Sequence, residues 1–195
     1  MNSKTLVFSC IAALAIAGCY VPEKFAAKID FDQNSSYTYQ FSGTVANIMA
    51  AMEIKQSGRL ASKDDADLRN YASKIAREPQ VKSASYIGSG RYAIEMGGKI
   101  QPYKPLDILG VLTVTTNKNG ITTIASPELT ADGKKQLESI GVTINGTLDV
   151  TLPRNAEVIY QNADSTPSFF GLFGSYSWKI GSINQRPIMQ IRIKR

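Results

Sequence analysis

The sequence predicts a single α+β domain, a mainly antiparallel β-sheet with two or three helices packed on one face. Three observations predict it. Apolar and polar residues alternate at Phe25-Ala27-Ile29-Phe31, Tyr37-Tyr39-Phe41, Leu148-Val150-Leu152 and Met189-Ile191-Ile193, the period of half-buried strands. Gly88-Ser89-Gly90 and Asn119-Gly120 separate pairs of apolar runs, as hairpin turns do. Helical spacing with start and stop signals is confined to short stretches, chiefly Lys63 to Arg77 and Thr130 to Ile140.

The elements follow in order. A first strand carries Phe25, Ala27, Ile29 and Phe31 on one face, with Lys24, Lys28, Asp30 and Asp32 on or beside the other. Asp32-Gln33-Asn34-Ser35 is a turn, and Tyr37, Tyr39 and Phe41 resume the alternation. Val45, Ile48, Met49 and Met52 are spaced for a helix, so Thr44 to Lys55 is either a short helix or a continuation of the strand. In the helix Lys63 to Arg77, Leu68, Tyr71, Ala72 and Ile75 form an apolar stripe. Ser62 is placed to cap it, with Asp65 completing a near capping box, and Pro79 stops it. Val81 to Ile87 and Arg91 to Met96 form one hairpin; Leu112 to Thr116 and Ile121 to Ala125 form another. The second helix, Thr130 to Ile140, turns Leu137 and Ile140 inward and ends at Gly141. Val142, Ile144, Leu148, Val150 and Leu152 alternate as a strand, followed by strands at Val158 and Tyr160, at Tyr176, Trp178 and Ile180, and at Met189, Ile191 and Ile193.

Composition excludes much chemistry. The chain has 195 residues, no histidine and two cysteines, Cys10 and Cys19. Zinc sites built from His or Cys need ligands this chain lacks. Ser-His-Asp and Cys-His catalysis lack their base. An enzyme would be left with serine–lysine or carboxylate chemistry, and neither Ser-x-x-Lys nor Gly-x-Ser-x-Gly occurs. Gly88-Ser89-Gly90 is no dinucleotide fingerprint, because position 93 is Ala93. Asp64, Asp65 and Asp67 lack the glycine and terminal glutamate of a calcium loop and suit the first turn of a helix. The expectation is a protein with no cofactor, no metal and no enzymatic activity. A carboxylate-based glycan hydrolase is the remaining enzymatic alternative; it would need two carboxylates about 5–9.5 Å apart in a cleft.

The N-terminus sets the location. Lys4 precedes an apolar run, Leu6 to Ala17, of the length of a signal h-region and too short to span a bilayer. It ends in Ile16-Ala17-Gly18-Cys19, which resembles the lipobox of bacterial lipoproteins. The resemblance implies a thioether-linked diacylglycerol on Cys19 and removal of residues 1–18. Tyr20 in place of aspartate after the cysteine implies the outer membrane, with the domain on the periplasmic face. Residues 19–22 would then form a short lipidated tether and residues 23–195 the domain. At about 3.5 Å per residue such a leash spans about 14 Å.

Two further features bear on contacts. Phe169, Phe170, Leu172 and Phe173 are crowded among Pro167, Gly171 and Gly174, between two predicted strands. Such a loop is either a plug closing one end of the sheet or an exposed wedge for lipid or a partner. Formal charge is +6, with Arg186, Arg192, Lys194 and Arg195 gathered at the C-terminus. These are either a solvated strand face or a contact for anionic headgroups, each worth about 1 kcal/mol near a membrane. Export makes nucleic acid an unsuitable partner.

Asn162-Ala163-Asp164, Pro167, Gly171-Leu172-Phe173-Gly174 and Tyr176-x-Trp178-Lys179-Ile180 resemble a C-terminal signature of uncharacterised Gram-negative envelope lipoproteins. Tyr86-Ile87-Gly88-x-Gly90-Arg91 and the helix before it fit the same pattern. More loosely, Gly146 to Pro153 is similar to LppM-like lipoproteins. The resemblance implies an anchored α+β domain and no catalytic residues. The function expected is therefore a non-enzymatic envelope lipoprotein binding an amphipathic ligand or a membrane-associated partner. The alternative is a structural or assembly subunit of an envelope complex.

Overall fold

The computed structural model describes residues 20–168 and 174–194. Two sheets carry the fold. The first contains β1 (Tyr20–Phe31), β2 (Tyr37–Asn47), β3 (Val81–Gly88), β4 (Arg91–Ile100), β8 (Asn145–Thr151) and β10 (Tyr176–Ile180), in the order β10-β8-β1-β2-β4-β3. The second contains β5 (Leu106–Ile108), β6 (Leu112–Thr116), β7 (Ile121–Ala125), β9 (Ala156–Gln161) and β11 (Ile188–Ile193), in the order β5-β6-β7-β11-β9. The helices are α1 (Ile48–Ser57), α2 (Ser62–Ile75) and α3 (Ala131–Ser139). The class is α+β and mainly antiparallel, as the alternation predicts; among the described residues only β1 and β8 pair in parallel.

The second sheet departs from expectation. Period-two patterning tells which residues turn inward but not which strands share a ladder. From β8 onward the chain crosses between the sheets with each successive strand. Inward residues of both sheets, among them Ile29, Tyr39, Leu148, Val150, Ile108, Val114, Ile124 and Met189, form one buried cluster. Helix α2 covers the rest of that face through Ala72 and Ile75. Helix α3 does not share it. Leu137 joins Ala46, Ala51 and Val142 in a smaller cluster near the start of β1.

Several local readings change. Both alternatives for Thr44 to Lys55 are realised in succession: β2 runs to Asn47 and α1 starts at Ile48. Asn47 makes the switch, its side chain accepting from the Ala50 amide at 3.0 Å. Asn47→Ala should therefore cost about 1 kcal/mol, read as a lower urea midpoint. Ser62 lies inside α2 rather than capping it; the N-cap is Ala61, and Glu53 of α1 accepts from its amide at 2.8 Å. Asp64 and Asp65 do occupy the first turn. Val142 and Ile144 precede β8 rather than opening it, and the three-residue β5 is too short to show a period.

Candidate functional site

Cys19, Phe169, Phe170, Leu172, Phe173 and Arg195 lie outside the described residues. Arg192 and Lys194 are described, and both face Glu157 on the neighbouring strand, at 4.0 and 3.5 Å. Exposed pairs of this kind contribute little to stability. Their position matters more. Asn155 donates to the carbonyls of Gln33 and Lys194, at 3.0 and 2.6 Å, so the basic end sits beside the turn that follows β1. The loop flank Tyr176 pairs with Val150, which pairs with Ile29, near that same end. Tyr20 is at the opposite end of a 12-residue strand, about 36 Å away at 3.3 Å per residue. Tyr20 and the described candidates Arg192 and Lys194 are thus at opposite ends of the domain.

The C-terminal signature is a clasp. Asn162 Oδ1 accepts from Trp178 Nε1 at 2.9 Å and from the Ile188 amide at 2.8 Å. Its amide donates to the Arg186 carbonyl at 2.8 Å. One side chain thereby joins β10 of the first sheet to the start of β11 in the second. Asp164 Oδ2 accepts from the Lys179 amide at 2.7 Å. These polar groups are engaged in holding the chain together, which accounts for them without chemistry.

The Tyr20 pole is built differently. Counting alternation back from Phe25 would turn Tyr20 outward. A bulge at Glu23 shifts the register between Pro22 and Lys24, so Tyr20 is only 7 % exposed. Its ring meets Tyr92 edge-on at 5.6 Å, and Tyr92 meets Tyr86 at 5.4 Å. Tyr92 donates to the Leu68 carbonyl at 2.7 Å, fixing α2, and burial raises its hydroxyl above the ordinary phenol range. Tyr86 donates to Asp65, and that bond holds the carboxyl below its usual range. Glu23 accepts a forked pair from Arg91, at 2.7 and 2.9 Å, which keeps the guanidinium firmly charged. Gly90, with φ +71°, brings the hairpin against Ala50 so closely that a Cβ there would collide with it. The expected tether, residues 19–22, is therefore not a leash from Tyr20 on: Tyr20 already pairs with Asn47 in the sheet.

Two of the cavities among the described residues bear on ligand binding. One lies between the sheets, lined by Phe25, Ile144, Ile180 and Val111, with Glu128 and Arg186 paired at 3.4 Å on its wall. At ≈ 180 Å³ it is below the usual range for ligand pockets, about 300–1,000 Å³. The other is a groove of ≈ 580 Å³ between α1 and α2. Its floor and walls are Tyr20, Met49, Met52, Leu60, Leu68 and Tyr71, and Met49 is 65 % exposed. Glu53, Asp64 and Asp67 add an acidic rim. Sequence reasoning missed this groove. Its signal is Met49 and Met52, the two of the helically spaced Val45, Ile48, Met49 and Met52 that line it; Val45 lies on β2.

Among the described residues no three or more His, Cys, Asp or Glu side chains are grouped to hold a metal ion. Among them, too, no helix is long and apolar enough to cross a membrane. No family model matches the chain, and no curated protein matches it in sequence. Among solved structures the chain is similar to the folded domain of LppM from Mycobacterium tuberculosis, at 13 % identity and a TM-score of 0.39, over 88 % of this chain and 90 % of that one.

Proposed function

We propose that this chain is a lipid-anchored, non-enzymatic protein of the Gram-negative envelope, held at the outer membrane on its periplasmic face, and that it binds an amphipathic ligand. The observation that carries the reading is the apolar groove at the Tyr20 pole. It lies beside the residue that follows the lipobox cysteine, and it has the volume of a small-molecule site. Its methionines suit an aliphatic ligand, because their flexible thioether side chains adapt to irregular apolar shapes.

A second reading is favoured by the two-pole arrangement. Tyr176, which flanks the aromatic loop, stands level with Ile29, about 30 Å from Tyr20 along β1, and Lys194 stands beside the turn after β1, about 36 Å along it. Placed there they suit a membrane-associated protein partner, or neighbouring subunits of an envelope complex, better than the headgroups around the chain's own anchor.

Cys19→Ser tests the anchor. The wild-type protein should fractionate with membranes, and its N-terminal peptide should carry an acylated cysteine by mass spectrometry. The variant should pass to the soluble fraction. A variant that stays in the membrane pellet through alkaline carbonate washing would refute the lipid anchor.

A further inference from the structure

The groove between α1 and α2 begins where the described chain begins. Tyr20 is both its first wall residue and the immediate neighbour of Cys19, so the two Cα atoms are about 3.8 Å apart. Tyr20 has no slack: it is paired with Asn47 and its ring is set against Tyr92. A chain attached to the next residue is therefore presented at the mouth of the groove. An attached ligand acts at an effective concentration of the order of millimolar, with no second body to capture. The rim selects further. Glu53, Asp64 and Asp67 repel a free fatty acid carboxylate or an anionic phospholipid headgroup. A thioether-linked glycerol ester brings no charge to that rim.

The geometry points to one occupant: an acyl chain of the lipid on Cys19 itself, folded back from the bilayer along Met49, Met52 and Leu68. This rests on Cys19 being lipidated, as proposed above. The groove is then a cis-acting holder for part of the anchor. It withdraws one of the two chains of the diacylglycerol from the membrane and leaves the other inserted; because a single chain binds only marginally and stable anchoring takes two lipid signals, filling the groove loosens the anchor.

The test uses the full-length protein, made in a Gram-negative host fed a fatty acid carrying a photoreactive diazirine in its tail. After irradiation of intact membranes, peptides are mapped by mass spectrometry. The expected result is an intramolecular cross-link from the Cys19 peptide to the peptides holding Met49, Met52 or Leu68. The Met52→Glu variant, which adds a carboxylate to the groove, should cut that cross-link at least fivefold while Cys19 acylation is unchanged. A labelled Cys19 peptide whose cross-links reach bilayer lipid alone leaves the anchor standing and overturns the groove. Free labelled lipid on the groove peptides, without a link to Cys19, overturns the choice of occupant. An unacylated Cys19 peptide overturns the anchor, and the inference with it. A cross-link yield indifferent to Met52→Glu in a variant that melts like wild type also overturns the inference.

Discussion

Truncating Trp178 to alanine should remove about 3–5 kcal/mol of folding stability, the cost of deleting a large aromatic from a packed core. Trp178 is 4 % exposed and lies on β10 among inward residues of both sheets. Part of the loss is polar. Without the indole, Asn162 Oδ1 keeps only the Ile188 amide. Asn162→Ala is the informative companion, because it strands the part-buried indole N–H, at about 1–3 kcal/mol for a buried donor left unmet, while the Ile188 amide, whose bond is exposed, can turn to water. Since the two side chains form one network, the double variant should cost less than the two single losses combined. Urea unfolding of the three variants checks this. Strict additivity would mean that the clasp does not couple the sheets.

Tyr92→Ala should be of the same size, about 3–5 kcal/mol. Tyr92 is fully buried, touches Tyr20 and Tyr86, and bonds the Leu68 carbonyl of α2. Tyr92→Phe keeps the ring and removes only the hydroxyl, so it should lose about 0.5–1.5 kcal/mol. The pair separates packing from hydrogen bonding. It also probes the groove, because α2 supplies one wall: hydrogen exchange over residues 62–75 should quicken in Tyr92→Phe more than over β6 and β7. Uniform quickening would show that α2 is held by packing alone.

How much of this was legible in the sequence follows from the range of each interaction. The alternation at Phe25 to Phe31 and the Asn119-Gly120 turn are local patterns, and the structure keeps both. The inward faces of β8, β10 and β11 were readable for the same reason. The division into two sheets was not, because nothing in Val150 or Ile191 names the strand it will pair with. The bulge at Glu23 was hidden as well. The partner of Glu23 there is Arg91, 68 positions away on β4, a contact no local pattern shows. The bulged residue reverses the parity of the first turns of β1 and brings Tyr20 inside. The residues of the C-terminal signature stood out correctly, but their distinctiveness comes from the Asn162–Trp178 clasp rather than from a site. Arg192 and Lys194 were recognisable as a cluster, while their distance from Tyr20 depends on how the two sheets meet at Asn155, which no local pattern shows.

The position of β1 has a mechanical meaning. It is bonded along one edge to β2 from Tyr20 to Phe31, and along the other to β8 from Lys24 to Asp30. With Cys19 fixed in a membrane and a partner drawing on the far pole, tension would run along the strand axis. The ladders on both sides would then be loaded in shear, with their hydrogen bonds resisting together. An edge strand peeled from its end would yield one bond at a time. In the anchored protein proposed above, β1 would lie in line with the pull and share the load between its two ladders, as a tie-rod between the two poles.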